Sequence, residues 1–179
     1  MLDFSQNHFE LFGLAVGFDM DSDRLAERYR DLQRVLHPDR FSQAGAAERR
    51  LSMQRSMQVN EAFETLRDPL ARTLYLLSLK GLTVDTATSR DNDFLMDQMT
   101  LREALVEAQG QPDAMVAVAA VGGDVRYRLD SLLGQLTHCF NNGDEKALEE
   151  ARSLACKLQF LTQFRLAVDQ AEAALEEDI

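Results

Sequence analysis

A histidine, a proline and an aspartate stand together at His37-Pro38-Asp39, and two of the three carry side chains that could do chemistry. Pro38 fixes its own φ and disfavours helical geometry at His37, so a preceding helix must end here in a stiff turn. A histidine beside an aspartate could act as a general base. No nucleophile, metal cluster or glycine-rich phosphate loop accompanies the pair, which argues against a hydrolase. The remaining interpretations are a displayed binding turn, or a turn in which Asp39 caps the next segment and His37 is passive.

Two amphipathic helices must position this turn. The first starts near Ser22, and its apolar residues recur at helical spacing: Leu25, Tyr29, Leu32 and Leu36. The second has a similar stripe after the turn: Val59, Ala62, Phe63 and Leu66. It ends at Asp68-Pro69, where proline suits the first turn of a further short helix. The simplest packing is an antiparallel hairpin with His37-Pro38-Asp39 at its tip.

The second half of the chain predicts three more helices. One spans about residues 92–109, with Asp91 or Asp93 as its N-cap. The next contains Gly122-Gly123, which would cost roughly 1 kcal/mol per glycine, so we expect a kink there or a restart at Asp124. The last follows Asn141-Asn142-Gly143-Asp144 with a regular apolar seam: Ala147, Ala151, Leu154, Leu158 and Leu161. We therefore predict an all-α protein with a hairpin unit at 1–78, a linker at 79–91 and a three-helix bundle at 92–179.

Composition excludes several classes of function. The net charge is -11 and the isoelectric point is about 4.7, which argues against binding nucleic acid or an anionic membrane. No signal peptide or apolar stretch of membrane-spanning length is readable, so we expect a cytoplasmic protein. Cys139 and Cys156 form no CxxC pair, and we predict neither a bound metal nor any other cofactor.

Arginines lie on the first hairpin helix, away from its apolar stripe. Arg30 and Arg34 fall close to the direction of His37, and Arg28 flanks them. This arrangement is typical of a basic docking face. Because Asp23, Glu27 and Asp31 share the region, a solvated face of mixed charge is an equally good interpretation of the residues alone.

The helix at 92–109 has two apolar faces. Its first stripe suits burial: Phe94, Leu101, Leu105 and Ala108. On a different side, apolar and acidic residues alternate: Leu95, Met96, Met99, Glu103, Val106 and Glu107. Either neighbouring helices bury this helix on two sides, or the second face is an exposed binding patch. Methionine is common in cores, whereas carboxylates are rarely buried unpaired, so the residues alone support the two interpretations about equally.

Several segments resemble a known family. The run from Tyr29-Arg30 through His37-Pro38-Asp39, followed by Asn60-Glu61-Ala62-Phe63, resembles the J domain. Residues 94–103, which read Phe-Leu-Met-Asp-Gln-Met-Thr-Leu-Arg-Glu, are similar to a segment of HscB, the J-domain co-chaperone of iron–sulfur cluster biogenesis. Residues 66–77 and the late Lys157-Leu158-Gln159-Phe160-Leu161 resemble the same family. The similarity covers most of the chain and is weakest over 110–143.

The resemblance implies a function and two sets of binding residues. It implies a protein without catalytic activity that stimulates the ATPase of an HscA-type, DnaK-class chaperone and delivers to it the iron–sulfur scaffold IscU. The chaperone-binding residues would be Arg28, Arg30, Arg34, His37, Pro38 and Asp39. The scaffold-binding residues would be Leu95, Met96, Met99, Glu103, Glu107 and Phe160. Phe160 lies off the seam of its helix, which predicts exposure.

Two other functions remain open from the residues. A general J-domain co-chaperone would deliver other clients to a DnaK-type chaperone. A protein of another class would use His37 and Asp39 in hydrolysis, or His138 and Cys139 to hold a metal. Adjacent residues on a helix diverge by about 100°, so the last pair is poorly placed for chelation.

Overall fold

The computed structural model describes residues 6–36, 45–84 and 92–177, and all regular secondary structure in these ranges is helical. Seven helices lie in the described ranges: α1 His8–Leu11, α2 Ser22–Leu36, α3 Ala46–Arg67, α4 Pro69–Leu79, α5 Asn92–Gln109, α6 Ala114–Asn142 and α7 Glu145–Glu177. They divide into two compact units, Met1–Leu79 and Lys80–Ile179. Within the described ranges no helix is long and apolar enough to span a membrane.

The first unit is built on α2 and α3, which run antiparallel. Leu36, at the end of α2, meets Ser52 near the start of α3, while Tyr29 meets Asn60 further along. The predicted apolar stripes face inward, and their most buried members form the core: Leu25, Leu36, Val59, Ala62 and Leu66. Pro69 opens α4, as its missing N–H group allows in a first helical turn.

The short helix α1 is stabilised by its own cap and held against this core by contacts of His8 and Phe9 with Tyr75. Asn7 and Glu10 form a reciprocal capping box, with each side chain accepting from the other's backbone N–H. The backbone N–H of His8 donates to the hydroxyl of Tyr75 at 2.9 Å, and the two rings stack at 4.2 Å. Phe9 is thereby held fully buried.

The second unit is a bundle of α5, α6 and α7, as the sequence predicts. The long helices α6 and α7 run antiparallel and are joined at Gly143, which adopts φ +67° as the C-cap of α6. The Asp144 carboxylate then accepts from the backbone N–H of Ala147 at 2.7 Å and caps α7. Each residue of the predicted α7 seam is buried.

The predicted restart of α6 is wrong, and one of the two predicted N-caps of α5 is excluded. The helix α6 runs unbroken through Gly122-Gly123, without a restart at Asp124. The reason is close packing, because a Cβ on Gly122 would lie 3.3 Å from Val168 Cγ1 of α7. The helix-propensity cost is therefore offset by contact between helices. In addition, α5 begins at Asn92, so Asp93 lies inside its first turn and is not the N-cap, while Asp91 lies outside the described residues.

Candidate functional site

A shared acceptor sets the register of α2 on α3. The hydroxyl of Tyr29 donates to Asn60 Oδ1 at 3.1 Å, and the side-chain amide of Gln33 donates to the same oxygen. The Tyr29 ring also stacks on Phe63 with 4.0 Å between centroids. These contacts fix how α2 rotates about its own axis, and so determine which of its side chains face solvent.

The end of α2 is held by a buried hydroxyl. Ser52 of α3 is only 4% exposed, and its Oγ donates to the carbonyl oxygen of Leu36 at 2.9 Å. This carbonyl is one of those that a helix C-terminus leaves without an internal partner. His37, Pro38 and Asp39 follow directly but lie outside the described residues, so their roles stay predictions.

The three predicted arginines do not share one face. All are exposed, but Arg28 lies about 160° around α2 from Arg30. Arg28 instead lines a surface pocket of about 340 Å³ with residues that include Glu10 and Phe12. Arg30 has no carboxylate partner among the described residues, while Arg34 bonds to Asp31 at 3.2 Å. The side of α2 away from the core therefore carries Arg30 and Arg34 together.

The second face of α5 is exposed within this chain. We call it the α5 patch, and its residues are Leu95, Met96, Met99, Glu103, Val106 and Glu107. Its four apolar side chains are 44%, 68%, 57% and 69% exposed in chain order. The opposite stripe is buried against α6 and α7, as predicted. Four large apolar side chains on one helix face form an apolar patch of the kind that marks an interaction surface.

The carboxylates of the patch are not neutralised within the chain. Glu103 and Glu107 are exposed, and among the described residues neither makes an ion pair or hydrogen bond through its side chain. Like charges four residues apart on a helix repel, at a cost of a few tenths of a kcal/mol. The pair therefore does nothing for the stability of α5, and it is available to a cationic partner.

Phe160 differs from its predicted exposure. It is half-buried, packs edge-on against Phe94 at 5.9 Å and stacks on Phe164 at 5.7 Å. The guanidinium of Arg102 covers the ring at 5.0 Å. The position of Phe160 off the apolar seam of α7 predicted exposure, but that pattern does not register α5, which packs along this side of α7. Phe160 is thus both a structural ring and part of the border of the patch.

A cation–carboxylate cluster that sequence reasoning missed holds α5 on α6. Arg128 donates to both carboxylate oxygens of Asp97 and, through Nε, to Asp124 at 2.7 Å. The hydrogen bond to Asp97 is the main cause that raises the pKa of Arg128. The spacing of Asp124 and Arg128 on one helix hinted at half of this cluster, but nothing in the sequence indicated Asp97.

The proposed metal pair has little support in the geometry. Cys139 is buried, and desolvation raises the pKa of its thiol, which disfavours the thiolate that a metal requires. His138 is exposed on the same helix. Within the described ranges no three His, Cys, Asp or Glu side chains converge as ligands.

Comparison with known proteins identifies the class. Residues 90–169 match the family model described as "HSCB C-terminal oligomerisation domain". The co-chaperone protein HscB homolog of Shewanella loihica is 37% identical over 94% of this chain and 99% of its own. The homolog of Aeromonas hydrophila is 39% identical over 96% and 99% of the two chains.

Solved structures agree with these relatives. Chaperone HscB from Vibrio cholerae superposes with a TM-score of 0.86 at 35% identity, over 95% of this chain and 99% of that one. Human co-chaperone HscB gives a TM-score of 0.85 at 29% identity, over 94% and 83%. The fold is that of an all-helical co-chaperone, which confirms the predicted fold class. The chain belongs to the HscB family, and the resemblance inferred from its residues is confirmed.

Proposed function

We propose that this chain stimulates the ATPase of an HscA-type, DnaK-class chaperone and presents to it an IscU-type scaffold that carries an iron–sulfur cluster. The observation that carries the proposal is the α5 patch, in which exposed methionines alternate with unpaired carboxylates. The chain itself performs no catalysis in this scheme. It binds two partners, one through each compact unit.

The first unit acts as the J domain of the proposal. Arg30 and Arg34 meet an acidic surface on the ATPase, while His37, Pro38 and Asp39 engage it from the turn beyond Leu36. Support comes from the exposure of both arginines and from the Ser52 hydrogen bond, which anchors the helix end that leads into this turn. A turn that contains proline and leaves a fixed helix end loses little conformational entropy on docking. Arg28 contributes from the side, through longer-range attraction.

The second unit holds the scaffold. Leu95, Met96 and Met99 supply flexible apolar contact, and methionine adapts to irregular partner surfaces. Glu103 and Glu107 select a partner with basic groups beside its apolar contact region. Phe160 adds the edge of its ring. The apolar side chains of the α5 patch supply the contact area for binding, and its carboxylates repel partners with an acidic surface.

The direct test is the ATPase rate of an HscA-type chaperone with this protein, with and without IscU. We expect stimulation by the protein alone and further stimulation when the scaffold is added. Asp39→Ala should abolish stimulation but still bind IscU. Met96→Ser with Met99→Ser should weaken IscU binding but leave stimulation by high concentrations of the protein intact.

Two outcomes would contradict the proposal in different ways. Undiminished stimulation by Asp39→Ala would remove the role of the turn. Capture of unfolded polypeptides, with no affinity for IscU, would instead indicate a general J-domain co-chaperone that serves other clients.

A further inference from the structure

Two methionines on α3 are exposed without a role in the core. Met53 and Met57 are 59% and 66% exposed, whereas the buried side of the helix is formed by residues such as Val59 and Ala62. Transfer of a methionine side chain from water to an apolar surface is favourable by up to about 1.5–3 kcal/mol. Neither side chain gains this within its own chain.

The two methionines border α2 close to the point where it ends. Met53 follows Ser52, whose hydroxyl holds the carbonyl of Leu36. Met53, Met57 and Asn60 fall within an arc of about 60° on α3, and Asn60 accepts the hydrogen bonds from Tyr29 and Gln33. The methionines therefore lie along the α2–α3 seam, beside the residue that precedes His37.

The same surface continues onto α2 as the arginine side. Arg30 and Arg34 lie about 60° and 100° around α2 from Gln33, away from the core. The surface thus runs from the methionines across the seam formed by Gln33 and Asn60 to the two arginines.

Charges of both signs neighbour the methionines on α3, but the basic ones lie nearest the end of α2. Glu61 and Glu64 follow Met57 on the same side, and Glu64 pairs with Arg67, while Glu48 precedes Arg49. Arg49 and Arg50 precede Met53, and both are exposed without a carboxylate partner among the described residues. This end of the hairpin is basic and apolar in a chain whose net charge is -11. A partner that matches it must carry carboxylates around an apolar contact region.

We propose that Met53 and Met57 extend the docking surface for the ATPase chaperone from α2 onto α3. They receive an apolar region of the ATPase that is bordered by carboxylates, while Arg49 and Arg50 meet those carboxylates. The inference rests on the proposed function, and it assigns α3 a share of the same interface. Continuity with Arg30, Arg34 and the turn favours the ATPase over the scaffold, because the α5 patch that would hold the scaffold is acidic.

The experiment is a titration of ATPase stimulation with the full chain. For Met53→Ser with Met57→Ser, the concentration giving half-maximal stimulation should rise roughly tenfold, because apolar area no longer becomes buried on docking. The maximal stimulated rate and the affinity for IscU should not change. Leu51→Ser is the matched control, since Leu51 is 46% exposed on the same turn but about 160° around the helix from Met53.

Each other outcome has a defined meaning. An unchanged half-maximal concentration for the double variant, or an equal effect of Leu51→Ser, would overturn the inference. A change in mass by light scattering without a change in stimulation would overturn it as well, and would assign the methionines to self-association. No stimulation by the unaltered protein would refute the proposed function itself.

Discussion

The guanidinium of Arg128 donates two hydrogen bonds to the carboxylate of Asp97, at 2.8 and 3.0 Å, and so ties α6 to α5. Asp97 follows Met96 directly, so the same bonds fix the rotation of α5 that exposes the patch. Paired, charge-assisted hydrogen bonds of this kind are stronger than ordinary surface ion pairs. Both side chains are partly exposed, which limits the gain through solvent screening.

Replacement of either partner should therefore destabilise the second unit moderately. We expect Arg128→Met and Asp97→Asn each to lower the free energy of unfolding by about 1 kcal/mol. The double variant should lose less than the sum of the two single losses, because the bonds are shared. Urea denaturation of the four proteins measures this coupling, and strict additivity would show that the bonds between Arg128 and Asp97 contribute nothing.

The two adjacent glycines of α6 should respond differently to alanine. A Cβ on Gly123 would find only Arg126 Nη2 at 3.9 Å, so Gly123→Ala should stabilise α6 by about 0.5–1 kcal/mol. A Cβ on Gly122 would lie 3.2 Å from Glu172 Oε1 and 3.3 Å from the buried Val168 Cγ1. Gly122→Ala should therefore be less stable than Gly123→Ala by about 1 kcal/mol. Thermal melts give the order of stability of the two variants. The reverse order would mean that α7 shifts to accept the added methyl group at no cost.

Phe160 should affect stability as well as binding. Phe160→Ala removes the contacts with Phe94 and Phe164, at an expected cost of about 2 kcal/mol, below the range for fully buried rings. Met96→Ser, at a site 68% exposed, should stay within about 0.5 kcal/mol of the original protein. Chemical denaturation separates the two, and equal stabilities would indicate that the aromatic stack is incidental. A binding study should therefore use Met96→Ser rather than a variant of Phe160.

The buried hydroxyl of Ser52, which bonds to the last residue of α2, should contribute to stability as much as one ordinary hydrogen bond. Ser52→Ala leaves the Leu36 carbonyl without its donor and should lower the free energy of unfolding by about 1 kcal/mol. Ser56, one turn further along α3, is half-buried and serves as the matched position, with an expected effect below about 0.5 kcal/mol. Equal losses at the two positions, measured by denaturation, would remove the anchoring role of Ser52.

Acid should weaken the first unit through His8. Burial lowers the pKa of His8 below its ordinary value of 6.5, and nearby Glu61 offsets part of the shift. The folded state thus favours the neutral ring. The contribution of His8 to the free energy of unfolding is therefore fully present above pH 6.5 and is lost as the pH falls through the folded pKa. His8→Phe keeps a ring against Tyr75 and cannot gain a proton. The stability of the original protein relative to this variant should fall below pH 6.5, and a constant difference across the range would contradict the assignment.

Patterns that lie along one helix were predicted well from the sequence, whereas contacts between helices were not. The stripe from Leu25 to Leu36 was readable because burial of one helix face leaves a period near 3.6. The continuity of α6 through Gly122 could not be predicted in this way, because it depends on how closely Val168 of α7 approaches. Half-burial of Phe160 likewise depends on α5.

The binding residues divide in a similar way. The place of Met96 and Met99 opposite the buried stripe of α5 allowed exposure but did not require it, because a second neighbouring helix could have covered them. The structure shows both side chains exposed. The bond between Arg128 and Asp97 joins residues far apart in the chain, and charged residues on helices occur too often for such a pair to be selected from one sequence. His37, Pro38 and Asp39 could be recognised only by their neighbours, and their geometry lies outside the described residues.

The short turn at Gly143 and Asp144 also bears on how the second unit forms. Because α6 and α7 are consecutive and joined by two residues, bringing them together closes a very small loop, and the entropic cost of closure is low. Chains dominated by such local contacts fold rapidly. This hairpin can act as an early nucleus, onto which α5 then docks through Arg128. Because α5 precedes both helices of this hairpin in the chain, its apolar residues lack their helical partners during synthesis until α6 and the middle of α7 have been made.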